Sequence, residues 1–534
     1  MLVDLAAAPR TTTAGSRAWA AYGNLANRAW LACLLPGLLS LALRAALLPW
    51  LPVPLPAIHD EFSYLLAADT YASGRLTNPP HPMWQHLESF HIIQQPTYAS
   101  KYPPMQGLLL AFGQYFFHQP WAGVYLSVGL MCSLICWMLR GWIAPPWALL
   151  GGLLMVTQFG VLSYWMNSYW GGAAPAIGGS LMLGALPRIG RDRRFGQWVA
   201  FALGSVILLS SRPYEGLALG VSATAALIWW LQKSQVPPGV AIRRIAAPVL
   251  AVLFIAGAAT AYQDFRVTGH PLELPYQAHD RQYAAATTFR WAPLRTDLPY
   301  RHAVMRDFWL GYEARLYRDA AESPFNTFFV DSAVAYVFFF GYFPLAAVAM
   351  AWPFALRTVE EKVSLALLVA AFAAVVPLIT FLPHYFAPVS GLLYLRLLQS
   401  SRRLTGWRPG GKPAGLILTM ILFGVIFFQL PVSLMRIPGA QPSGSTFAQK
   451  RAAIADTLSR QPGRQLVIVR YAADHDVHHE WVANRADIDA AQTVWAREMG
   501  GSKDRTLLEY FHDRRAWLLE PDGATPKLTP YPAP

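Results

Sequence analysis

The residues best suited to chemistry in this sequence form an acidic pair, Asp60-Glu61, at the mouth of an apolar segment. A carboxylate placed there is partly desolvated, and its proton affinity can be tuned toward general-base duty. Taken alone, the pair also reads as a helix N-cap with a solvated first turn, because the helix macrodipole favours acids there. Two cations, Lys101 and Arg212, stand at the outer ends of later apolar segments. Each can grip a phosphate headgroup through charge-assisted hydrogen bonds, or simply snorkel to the interface. His384 and Tyr385 fall in a very short turn between apolar runs, where they can touch the same anion or anchor the chain at the interface.

The elements that must position these residues are membrane spans. Of 534 residues, 54% are hydrophobic and only 14% charged, too apolar for a soluble chain of this length. The net charge of +13 is spread over short clusters between apolar runs and forms no single basic stripe. It therefore marks a cytoplasmic side and argues against a nucleic-acid partner. Arg10, Arg17 and Arg28 precede an apolar run over 29–51 that is long enough to cross about 30 Å of hydrocarbon. It is long for a signal peptide and leads into proline-rich sequence, so it reads as an uncleaved anchor leaving the cytoplasm. Further runs lie at 121–139, 145–165, 171–186, 195–210, 217–231, 245–261, 327–355, 363–382, 385–399 and 413–434. The count is about eleven, with the N-terminus inside and the C-terminus outside. Cys33, Cys132 and Cys136 all lie in apolar runs, so they supply neither disulfides nor a thiolate metal site.

Nearly all the polar mass is external, in loops over about 52–120 and 262–326 and in the tail. The first loop opens with Phe62, Leu65 and Leu66 at helical spacing, which predicts a helix lying on the membrane and ending at Gly74. Farther along, His81, His86 and His91 recur every five residues with Glu88 among them. That spacing does not put them on one helical face, so no metal ligand set is assigned, and a divalent cation near a phosphate is only a candidate. The second loop carries Tyr276, His279, Asp280, Arg281 and Tyr283 and suits a mobile cover. The corner Asn167–Gly172 presents Trp170 for stacking on a sugar face, with glycines allowing close approach, or for the interfacial belt. From 436 to 534 the composition becomes that of a small α/β unit, with strands at 466–471 and 515–522 and a helix at 504–514. At roughly 90 residues it is large enough for a modest core of its own. Its stretch Asp474–Glu480 is rich in histidine and acid but lacks a fixed zinc spacing, and reads as a solvated turn.

In order and sidedness, His59-Asp60-Glu61 after the first span, Lys101-Tyr102-Pro103-Pro104 at the end of the loop and Ser211-Arg212-Pro213 at an external hinge resemble the GT-C superfamily of integral-membrane glycosyltransferases. That superfamily uses polyprenyl-phosphate sugars and includes protein O-mannosyltransferases and the aminoarabinose transferases that modify lipid A. The resemblance implies an all-α polytopic fold over 1–435 in the plasma membrane, with the small α/β domain at 436–534 on the outer side. It implies an inverting transfer of a hexosyl or pentosyl group from a polyprenyl-phosphate donor to a hydroxyl on a lipid, glycan or protein. Asp60 would be the base, with Glu61 bracing the loop or binding the acceptor. Lys101, Arg212, His384 and Tyr385 would hold the donor phosphate, and Trp170, Tyr102 and Tyr276 would contact sugar or acceptor. In relatives the hinge cation is often lysine before glycine, so Ser-Arg-Pro departs from the pattern. Two other readings remain: a multi-pass transporter of a lipid-linked or small polar solute, and a non-catalytic membrane assembly factor. Midspan charge would favour transport, and apart from Arg44 the spans carry little.

Overall fold

The computed structural model describes residues 14–192, 194–233, 247–341, 356–436 and 446–532, together with Gly239 and Ala346. Among these residues, five helices are long and apolar enough to cross a membrane: Ala29–Ala46, Trp121–Trp142, Pro213–Lys233, Ala247–Thr268 and Ala414–Met435. Two shorter apolar helices, Phe195–Ser211 and Pro324–Phe340, accompany them. Eleven unbroken spans are therefore not what the described residues contain. The run at 363–382 is helical only over Val359–Val375, and that at 385–399 starts with a 3-10 turn, Pro383–Val389, before helix Ser390–Leu404. The run at 327–355 passes outside the described residues after Gly341, as do Arg10, Arg243, Arg244 and the junction just beyond Arg436.

The run at 145–165 departs most from a simple span. It is helical to Met155, continues as a π-helical turn, Val156–Gly160, and then runs irregularly to Gly172. Irregular backbone survives among membrane helices only where other protein groups satisfy it. Here the Ser40 hydroxyl donates to the Gly160 carbonyl at 2.7 Å, and the Asn167 amide donates to the carbonyls of Val161 and Ser163 at 2.9 and 3.0 Å. Arg44, fully buried, donates in turn to Asn167 Oδ1 and to the carbonyls of Leu51 and Pro52. The one midspan charge noted in the sequence is thus a lock between the first span and the corner bearing Trp170.

The predicted helix of the first loop is present as His59–Ala72, and Gly74 follows it with φ +74°, a conformation that favours glycine. It does not lie on a membrane surface. Its apolar residues are distributed around the helix, and both sides are covered by protein. Tyr64 and Ala68 enter the large core formed with the spans, whereas Phe62 and Leu66 enter the cores of the C-terminal sheet.

One short antiparallel pairing, of β1 (Ile92–Ile93) with β2 (Ala99–Ser100), holds the loop after this helix. The C-terminal sheet contains β3 (Arg464–Val469), β4 (Thr493–Arg497), β5 (Arg514–Glu520) and β6 (Lys527–Pro530), in the order β4-β3-β5-β6. β3 is parallel to β4 and β5, and β6 is antiparallel to β5. Helices Thr446–Ser459 and Gly501–Tyr510 connect into it. The two expected strands and the expected helix are there, but the core is shared. On one side Leu466, Ile468 and Phe511 pack with Leu66, Leu87, Ile92 and Tyr98 of the first loop. On the other, Val467, Trp481 and Leu519 pack with Phe62.

Candidate functional site

The site is built outward from the start of helix His59–Ala72. Ile58 is extended, and the following turn is closed by Glu61, whose Oε2 accepts from the backbone N–H groups of Ala57 and Ile58 at 2.7 and 3.2 Å. Its Oε1 accepts from the N–H of Tyr169 at 2.9 Å, tying the helix to the Trp170 corner. Both carboxylate oxygens of this buried residue are thus engaged by backbone. Burial pushes the Glu61 carboxyl up, against the pull of the Ala57, Tyr169 and Ile58 N–H groups. Of the roles considered for Glu61, the geometry displays the bracing one.

Asp60 points the other way, as a neighbour about 100° around a helix must. The Tyr102 hydroxyl donates to its Oδ1, while Oδ2 lies 3.1 Å from His59 Nδ1 and 3.8 Å from His91 Nε2. Burial raises the Asp60 carboxyl, but the His91 and His59 rings and the Tyr102 hydroxyl outweigh it and hold the group well below the usual carboxylate range. Asp60 is therefore an ionised acceptor of protons at neutral pH, weak in strength but always available. His59 completes the setting. Its ring packs against Phe90, His91 and Phe308, and His478 of the C-terminal unit stacks on it at 5.9 Å. One residue of the stretch read as a solvated turn thus packs on the histidine beside the acid, while Asp474 and Asp476 stay exposed.

Tyr102 links this centre to the cations. Its ring stacks on Tyr64 at 4.3 Å and meets Tyr276 edge-on at 5.5 Å. Lys101 Nζ sits in a cage of aromatic faces, 5.5 Å from the ring centres of Tyr102 and Tyr276 and 5.7 Å from that of Trp309. Lys101 is 8% exposed, and among the described residues no carboxylate lies within ion-pair distance of it. A nearly buried cation with no direct ion-pair partner, facing aromatic rings and sensed by the Asp280 and Glu313 carboxyls, is well placed to receive an anion.

Arg212, Tyr276 and Tyr385 share a cavity of about 720 Å³, with Arg295, Phe289 and Leu378 among its other walls. The Arg212 guanidinium lies 4.6 Å over the Tyr385 ring and 3.8 Å from Glu215. The turn carrying His384 and Tyr385 is seated by Gly179 of helix Ala173–Asp192, where a Cβ would stand 1.8 Å from the Pro388 carbonyl oxygen. His384 faces away from the cavity: its Nδ1 is 3.0 Å from the Tyr164 hydroxyl, and its ring packs edge-on against Trp170 at 4.9 Å. Trp170 is likewise half-buried against Tyr164, so its face is used inside the protein. The structure thus gathers Asp60, Tyr102, Lys101, Tyr276, Arg212 and Tyr385 along one line of aromatic contacts, with Trp170 and His384 as a supporting pair beside it.

The spaced histidines do not converge. His81 lies 3.2 Å from Asp489 and stacks on Phe511, and His86 Nδ1 lies 2.9 Å from the Arg497 carbonyl oxygen, so both fasten the loop to the C-terminal sheet. Glu88 engages Tyr283, Arg301 and His302. Only His91 reaches Asp60, and with His59 they offer ligand atoms within 4.8 Å of one another. Two imidazoles and a carboxylate suit a zinc-like cation. Helix Pro275–Tyr283 of the second loop is packed in place, with His279 fully buried against His91 and Trp309. Sequence reading overlooked Arg295, which lines the cavity, and Glu313, whose carboxyl is pushed up by burial and pulled back by Lys101. Neither stands in a recognisable motif, and the long second loop alone hid them.

No protein-family model and no curated protein matches the chain. Among solved structures, it is similar to ArnT from Cupriavidus metallidurans in the apo state, at 15% identity over 96% of this chain and 94% of that one, with a TM-score of 0.48. The same protein bound to undecaprenyl phosphate gives 14% identity, 92% of each chain and a TM-score of 0.46. The Archaeoglobus fulgidus oligosaccharyltransferase, in a complex with Zn and sulfate, gives 13% identity, 92% of this chain, 67% of that one and a TM-score of 0.45. Both neighbours are GT-C glycosyltransferases.

Proposed function

We propose that the chain is an inverting membrane glycosyltransferase that moves a sugar from a polyprenyl-phosphate donor to an acceptor hydroxyl at the outer face of the membrane. One observation carries the reading. The cavity headed by Arg212 shares Leu217 with an apolar groove of about 660 Å³ between helices Phe195–Ser211, Pro213–Lys233 and Ala247–Thr268. A cavity with Arg212 and Arg295 in its wall, bordering an apolar groove along membrane helices, matches a ligand with an anionic head and a long hydrocarbon tail. Arg212 and Lys101 would hold the phosphate, with Tyr276 and Tyr385 beside it. Among the spans, Arg44 is wholly engaged by carbonyl groups and Asn167, which supports no solute path.

In the reaction, ionised Asp60 takes the proton of the acceptor hydroxyl while the acceptor oxygen bonds to the anomeric carbon. The bond from that carbon to the phosphate oxygen breaks, and its electron pair leaves on the polyprenyl phosphate. A single displacement inverts the centre, unlike the double displacement of retaining hydrolases. Lys101 and Arg212 stabilise the charge that grows on the phosphate. Glu61 keeps Asp60 on the correct face of the helix start. A divalent cation, when bound, would be held by His59, Asp60 and His91 and would supply positive charge beside the phosphate.

The test is glycosyl transfer in detergent with a panel of polyprenyl-phosphate sugars and candidate acceptors, comparing the unchanged chain with Asp60→Asn and Arg212→Ala. Asp60→Asn should bind donor without turnover, and Arg212→Ala should bind donor weakly. Normal turnover by Asp60→Asn would remove the base, and a chain that bound no donor would return the transporter and assembly-factor readings to the front.

A further inference from the structure

A second cavity, of about 470 Å³, lies between the second external loop and the carboxyl ends of β3 and β4. Open α/β sheets bind ligands outside the carboxyl ends of their strands, and this volume suits a small molecule. The proposed transfer reaction makes no use of it. Its walls carry four cations, Arg301, Arg470, Arg497 and Lys503, against two acids, Asp307 and Glu498.

Most of this charge is already committed. Arg470 makes two bonds of 2.6 Å to Glu498, Arg301 lies 3.2 Å from Glu88, and Arg497 bonds through Nη2 to Glu480 and through Nε to the Glu88 carbonyl. Two groups are left over. Nη1 of Arg497 is buried without a hydrogen-bond partner on a residue only 2% exposed, and Lys503, at the rim, has no ion pair among the described residues. Arg497 lines the cavity, and its buried Nη1 is a guanidinium donor left without an acceptor. Lys503 also lies in the first turn of helix Gly501–Tyr510, whose dipole favours an anion on the same side. Tyr471 adds a half-buried ring to the wall.

We infer that this cavity binds an anionic sugar, with its phosphate or carboxylate between Arg497 and Lys503 and its ring in the remaining space beside Tyr471. Bare phosphate would leave most of the volume to water, whereas a sugar ring carrying the anion takes up more of it. The site is independent of the donor cavity, and binding there needs no transfer chemistry.

The experiment is calorimetric titration of the full chain in detergent with glucose 6-phosphate, glucuronate, glucose and inorganic phosphate. Arg497→Gln would strand Glu480 and threaten the fold, so the variants are Lys503→Glu and Ala472→Trp, both at exposed rim positions. Glucose 6-phosphate or glucuronate should bind, and whichever binds more tightly identifies the anion as phosphate or carboxylate. Each variant should weaken that binding by about tenfold, the effect of one charge-assisted hydrogen bond or of lost space. Glucose alone should bind more weakly than either. The inference is overturned if neither anionic sugar binds, if inorganic phosphate binds as tightly as both, or if the two variants bind as the unchanged chain does.

Discussion

Removing the Glu61 carboxylate separates the two roles its position allows. Three backbone donors, the N–H groups of Ala57, Ile58 and Tyr169, rely on its two oxygens at 2.7, 3.2 and 2.9 Å. A buried donor left unsatisfied costs about 1–3 kcal/mol. Tyr169 is buried, whereas Ala57 and Ile58 are half-buried, and water can offset part of their loss. Glu61→Ala should therefore destabilise the protein by about 3–5 kcal/mol, at the upper end for a single substitution. Glu61→Gln keeps one accepting oxygen but sets an amide NH2 against donors, so its effect should fall between. Thermal unfolding in detergent, followed by tryptophan fluorescence, reads the bracing role, and turnover by the folded fraction reads action on substrate. If Glu61→Ala unfolds like the unchanged chain yet loses turnover, Glu61 acts on substrate and the bracing argument fails.

Three further outcomes follow from the same geometry. Lys101→Ala should weaken binding of the proposed polyprenyl-phosphate donor by about tenfold or more in an equilibrium binding assay, because among the described residues no other cation faces these three rings, and an unchanged affinity would place the phosphate elsewhere. Gly179→Ala should displace the His384-Tyr385 turn, since the new Cβ would stand 1.8 Å from the Pro388 oxygen, so donor binding falls while the C-terminal sheet keeps its packing as read by hydrogen exchange. Asp69 supplies a pH dependence: burial raises its carboxyl, but bonds from Arg485, the Ala486 N–H and Gln114 bring it below the ordinary value. A depressed folded-state pKa contributes stability above the ordinary aspartate value and loses it as pH falls through that value and below. The melting temperature of the unchanged chain should hold from pH 7 to about 5 and then fall, and Asp69→Asn should lower the plateau and shrink the acid fall.

Much of the architecture could be read from the sequence because it follows from local rules. The first loop helix begins and ends where Asp60-Glu61 and Gly74 say it should, and β3 and β5 follow their short apolar runs, whereas helix Pro104–Phe117 lies in a stretch read only as loop. Hydropathy records composition, not hydrogen bonding, so it does not show where an apolar run leaves the helix. The run at 145–165 is apolar throughout, yet Ser40, Arg44 and Asn167 from the fold let its backbone leave the helix. The site divided in the same way. Asp60, Lys101 and Arg212 stood out by type and position. That Tyr102 would bridge them, that Glu61 would be consumed by backbone and that His478 would cover His59 depend on contacts between distant segments, for which one sequence holds no signal.

The shared packing of Phe62 with Val467 and Leu519 also sets a timetable for biosynthesis. Phe62 leaves the ribosome roughly 450 residues before its last packing partner, a wait of about 20 to 90 seconds at ordinary elongation rates. Throughout that interval the helix carrying Asp60 stands outside the bilayer with one apolar side uncovered, while the later spans are still being threaded. Quality control at the membrane therefore meets a loop helix whose Phe62 side is covered only after the final strands arrive, and a chain stalled before β5 presents Phe62 as a ready target for chaperone or protease.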